Sequence, residues 1–76
     1  MKFRLVTRWY ATGLDEIGKE GEPMSKSKVL LIDTEVNRKY DGAENAEDVR
    51  RTFLDSVTQD PTHSLILKID ECVQID

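Results

Sequence analysis

One segment of this chain carries clear helical periodicity, so whatever sheet the rest of the sequence forms has a single helix with which to cover itself. Asn45 is placed to cap that helix. Asp48 sits at its third position, close to the capping-box arrangement that satisfies first-turn N–H groups, and Asp60-Pro61 marks its end. At about 100° per residue, Ala46, Val49, Phe53 and Val57 fall on one stripe, with Glu44, Glu47, Asp48, Arg51 and Asp55 opposite. The helix is amphipathic and buries one face.

The other regular segments alternate with a period of two. From Lys2 to Thr12, Phe3, Leu5 and Trp9 share one parity, and Lys2, Arg4, Arg8 and Tyr10 the other. Gly13 through Ser25 reads as a long loop, with room for one helical turn at 14–17. A second strand is expected from Lys26 to about Val36, continuing to Tyr40 after a kink near Asn37, with Tyr40 packed near the helix entrance. In the third, Leu65, Leu67, Ile69, Val73 and Ile75 share a parity that Glu71 interrupts.

The predicted fold is therefore one α+β domain over residues 1–76, in the order β-β-α-β. Its three-stranded, mainly antiparallel sheet has strand order 2-1-3, with the amphipathic helix on one face. Strand two is apolar on both sides: Val29 and Leu31 point one way, Leu30 and Ile32 the other. One helix cannot cover both. A chain of 76 residues has a thin core, worth about 3–5 kcal/mol net, which natural domains of this size supplement with disulfides, a metal or a partner subunit. The single cysteine, Cys72, excludes an intrachain disulfide, and the single histidine, His63, leaves the usual zinc ligand sets incomplete. A second copy is the expected cover, making the protein a homodimer with Leu30 and Ile32 on the dimer or partner face; the alternative is that Tyr10, the 13–25 loop and Met24 fold back over that face.

Hydrophobic residues make up 38% and charged residues 34%, a composition that excludes disorder. The longest apolar run, Val29-Leu30-Leu31-Ile32, is far short of a membrane span, and no signal-peptide pattern follows Met1, so a soluble cytoplasmic protein is expected. Net charge is −4, but unevenly spread: residues 1–39 carry eight basic and six acidic side chains, residues 40–76 three basic and nine acidic. The excess acidity works against direct binding of nucleic acid.

No cofactor, metal or catalytic motif emerges. Cys72 and His63 are too far apart on a strand to form a nucleophile-base pair, and Asp33 with Glu35 has no pocket to separate two pKa values. Gly18-Lys19-Glu20-Gly21 lacks the spacing of a phosphate-binding loop, and Met24-Ser25-Lys26-Ser27 follows Pro23 where the synthetase signature loop has lysine.

The remaining constellation is electrostatic. Asp41, Glu44, Glu47, Asp48, Asp55, Asp70 and Glu71 are expected to form an acidic partner-binding surface, with carboxylates about 5–7 Å apart along successive turns or alternate strand positions. As a compact acidic β-β-α-β unit the chain resembles small phage-encoded host-takeover proteins, DNA mimics among them. The resemblance implies an inhibitor that blocks the DNA-binding surface of a basic protein. The leading expectation is thus a non-catalytic protein-binding module. The alternative is a small nucleic-acid-binding protein that uses Lys2, Arg4, Arg8, Trp9 and Tyr10 of the first strand.

Overall fold

Alternation at the start of the chain produces the central strand, β1 (Lys2–Ala11), in a computed structural model that describes residues 1–13, 19–57 and 64–76. β1 pairs antiparallel with β2 (Lys28–Asp33) on one side and with β3 (Leu65–Gln74) on the other, giving the sheet order β2-β1-β3. Helix α1 (Ala46–Ser56) lies between β2 and β3 in sequence and packs against β3. This is the α+β architecture and strand order that the pattern predicts.

The core is the space between α1 and one face of the sheet. Phe3 and Leu5 of β1, Ile32 of β2 and Ile69 of β3 are buried there with Val49 of α1 and Tyr40, and Leu30, Ala46, Phe53 and Cys72 pack around them. Burying each large apolar side chain contributes roughly 1.5–3 kcal/mol, so these few residues supply most of the stabilisation. The helix starts where Asn45 Oδ1 accepts the Asp48 N–H at 3.0 Å. It closes at Ser56, with the N–H of Val57 donated to Leu54 O. That is earlier than the expected stop at Asp60-Pro61, which lies outside the described residues, as do His63 and the helical turn anticipated at 14–17.

The second strand is shorter than the pattern suggests. Asp33 ends it by turning its own polar groups on the backbone: Oδ1 accepts the Glu35 N–H at 3.0 Å, and its carbonyl accepts the N–H of Asn37 at 2.9 Å. The stretch expected to continue as strand is instead a 3₁₀ turn, Arg38–Tyr40, capped by Asn37 Oδ1 on the Lys39 N–H at 3.1 Å. The turn swings Tyr40 under the helix entrance and into the core.

The third strand departs from simple alternation at one point. Thr7 faces Ile69 and Val6 faces Glu71, so Asp70 is an extra residue with no partner on β1, a β-bulge. Leu65, Leu67 and Ile69 share the side of Ala11, Trp9 and Thr7, whereas beyond the bulge it is Cys72 and Gln74 that share the side of Leu5 and Phe3. Val73 and Ile75, expected on one side with Leu65 to Ile69, are thereby rotated to the other.

Candidate functional site

The side of the sheet that α1 leaves uncovered is assembled from the residues that alternate with the core. Across the strands, Arg4 stands between Leu31 of β2 and Val73 of β3, and Val6 stands between Val29 and Glu71. Leu31 is 72% exposed, Val29 53%, Ile75 50% and Val73 39%. These four, with Val6, form an apolar patch that no described part of the chain covers. Single exposed apolar residues are ordinary, but several on one uncovered face, here with Arg4 between Leu31 and Val73, suit an interaction surface.

The other end of the same face is polar and tightly paired. The bulge points the Asp70 carboxylate back over β1, where Oδ1 accepts the Tyr10 hydroxyl and Oδ2 lies 3.5 Å from Arg8 Nε, as an ion pair. Arg8 Nη2 donates to Ser27 Oγ at 2.7 Å, and Lys68 Nζ sits 5.2 Å from the centre of the Tyr10 ring, a cation–π contact. Arg4 Nη1 reaches Glu71 Oε2 at 3.3 Å. The hydrogen bond to Asp70 is the main cause that raises the Tyr10 pKa above its ordinary value, because ionising the phenol would break it.

Several predicted site residues fall elsewhere. Leu30 and Ile32 are not on the open face: in register with Leu5 and Phe3 they point toward α1, and Ile32 is 8% exposed within the core. The open-face pair on β2 is Val29 and Leu31. The seven carboxylates expected on one acidic surface are divided between the two sides of the molecule. Glu44, Glu47 and Asp55 are exposed around α1, with Asp41 just ahead of it. Asp48 helps close the helix start, its Oδ2 accepting the Glu44 N–H at 2.9 Å and its Oδ1 lying 4.0 Å from Arg51. Asp70 and Glu71 are on the open sheet face, paired with arginines.

Of the basic and aromatic residues of β1, Lys2, Arg4, Arg8 and Tyr10 share the open face, and Trp9 does not. Trp9 lines a cleft of about 430 Å³ on the helix side, with Thr7, Lys28, Leu30, Phe53 and Leu67; among the described residues no carboxylate, thiol or imidazole lines it. Cys72 is half-buried beside α1, its Sγ 3.6 Å from Ala46 O, and burial raises its pKa, which keeps it a thiol. Among the described residues no group of three or more His, Cys, Asp or Glu is placed to hold a metal ion, and no helix is long and apolar enough to cross a membrane.

The apolar patch escapes a reading by strict alternation because Val73 and Ile75 share the parity of Leu65, Leu67 and Ile69. The signal that corrects it is Glu71, a charge where the alternation calls for an inward apolar residue. A bulge just before it resolves that conflict. Comparison with known proteins finds no family model, no curated protein and no solved structure that matches this chain.

Proposed function

We propose that this protein is a non-catalytic protein-binding module that docks a partner on the open face of its sheet. The observation that supports this most is the grouping of Val29, Leu31, Val73 and Ile75, all exposed and all on the face that α1 leaves bare. Arg4, paired with Glu71, runs between Leu31 and Val73, and the Arg8–Asp70–Tyr10 group lies toward one end of the face. Apolar side chains interleaved with an arginine match the composition of protein interfaces, where Arg is enriched. These polar side chains are already held by one another, so less conformational freedom is lost when a partner arrives.

The test is affinity capture with the wild-type chain and with an Arg4→Glu/Val73→Glu double variant, which changes only open-face positions. A partner bound by the wild type and lost by the double variant is the expected result. Equal recovery with both would overturn the reading. An acid-led reading, in which the chain blocks a basic DNA-binding protein, draws support from the exposed Glu44, Glu47 and Asp55 around α1. It takes the place of the sheet-face reading if capture is abolished by high salt and by reversing those three charges, while Arg4→Glu/Val73→Glu has no effect.

A further inference from the structure

The outer edge of β2 is as unpartnered as the face beside it, and its hydrogen-bonding phase is fixed. Odd-numbered residues of β1 bond toward β2: Met1 O accepts from Thr34 N, and Trp9 O accepts from Met24 N. Ile32, Leu30 and Lys28, opposite Phe3, Leu5 and Thr7, therefore spend their main-chain groups on β1. Val29 and Leu31 alternate with them and aim N–H and C=O outward. Among the described residues no hydrogen bond within the chain uses these groups. The same two residues carry the most exposed apolar side chains of the strand. An unbulged edge whose central residues are apolar is a template for another strand.

We infer that the occupant is a second copy of this chain, paired antiparallel along β2 about a twofold axis at Leu30. Two features select a copy over an arbitrary strand. The first is self-complementarity. Centring on Leu30 sets Val29 of each chain opposite the partner's Leu31, so the outward main-chain groups meet in about four N–H···O bonds and the side chains meet as apolar cross-strand pairs. Centring one residue later would oppose Val29 to the partner's Asp33, whose carbonyl already accepts from Val36 and Asn37. The second is charge. Lys26 and Lys28 lie at the entry of β2 and Asp33 and Glu35 at its exit. Antiparallel self-pairing brings the basic end of each strand alongside the acidic end of the other, whereas parallel pairing would stack like charges.

The product is a continuous six-stranded sheet whose two open faces join into one surface, with Val29 and Leu31 of both chains at the seam. This extends the docking function without depending on it. A chain that dimerises through β2 but loses no partner on Arg4→Glu/Val73→Glu breaks only the docking reading, and a chain that captures its partner as a monomer breaks only this one.

Amide hydrogen exchange by NMR, together with molar mass in solution, tests the pairing on the wild-type chain. The Val29 and Leu31 amides have no acceptor among the described residues, so protection that grows with protein concentration, alongside a mass approaching twice 8.7 kDa, is the expected result. Leu31→Pro removes an outward N–H that no described residue of the chain uses; it should restore the monomer mass with the β1–β3 amides still protected. Leu31→Lys, a charge on the edge, should do the same by a route that leaves the backbone unconstrained. A wild-type chain that stays monomeric at about 1 mM, the weak end of specific association, overturns the inference. So does a dimer in which the Val29 and Leu31 amides exchange freely or which survives both substitutions.

Discussion

On the covered side of the sheet Phe3, Leu5, Ile32 and Ile69 meet Val49 and Tyr40, while on the other side of the same strands Val29 and Leu31 meet solvent and Arg4, Arg8 and Tyr10 meet carboxylates. One face is held by burial, which needs no particular geometry beyond a good fit. The other is held by directed pairs that leave its apolar residues outside. Among the described elements α1 is the one α-helix, and it closes one face by burial. The second face is then free to specialise, and its interactions are strong enough to order side chains but contribute little to folding.

The sharpest way to break this contrast is to truncate both faces and compare. Phe3→Ala should cost about 3–5 kcal/mol, which approaches the whole stability expected of a domain this size. Leu31→Ala should change the stability of the monomer by less than about 0.5 kcal/mol. Urea unfolding of the two variants at low protein concentration measures both; similar losses would mean that the open face is part of the core.

Adjacent thiols probe the same contrast at one place. Cys72 lies beside α1 with its pKa raised by burial, and the next residue, Val73, is on the open face. A cysteine introduced by Val73→Cys in a Cys72→Ala background should react with a disulfide reagent at least about tenfold faster than native Cys72, as exposed thiols do. Equal rates would remove the bulge from the account.

Smaller effects come from the parts that hold each face in order. Asn45→Ala removes the acceptor of the Asp48 N–H and should cost about 1 kcal/mol in the same unfolding experiment; no change would mean that α1 does not need its cap to stay on the sheet. On the open face, the Asp70 hydrogen bond holds the Tyr10 pKa above its ordinary value. A raised folded-state pKa gives a contribution to stability that is present below the unfolded value near 10 and is lost as pH rises through the folded one. Tyrosinate absorbance in a Tyr40→Phe background should show Tyr10 titrating late, and Asp70→Asn should bring it down toward the ordinary value. An unchanged titration would show that the pair does not form in solution.

Much of this architecture is legible in the sequence because it rests on local rules. The parity of Phe3 and Leu5, the Asn45 cap and the helical stripe through Ala46, Val49 and Phe53 each follow from a period and a cap, and they suffice for the element order and the strand order. The site is harder to read. Val29-Leu30-Leu31-Ile32 is apolar at every position, so alternation shows that both faces are apolar but not which pair α1 covers. That depends on register with β1, which sets Leu30 against Leu5 and Ile32 against Phe3. Acidic residues distant in sequence, such as Asp55 and Asp70, look like one cluster until the sheet separates them. Asp33 and Asn37 end β2 through side-chain bonds to the backbone that no periodicity registers.

The unpaired Asp70 also bears on how such a surface changes over generations. Because Val6 stays opposite Glu71 and Thr7 opposite Ile69, loss of that one residue would leave both halves of the β1–β3 ladder in register and take away only the anchor for Arg8 and Tyr10. Gain of one residue on either side of it would instead exchange the inward and outward side chains of everything beyond. For this strand, a three-base insertion is a larger evolutionary step than loss of Asp70 or a run of substitutions, since it rewrites what a partner touches while leaving the alphabet of the strand untouched.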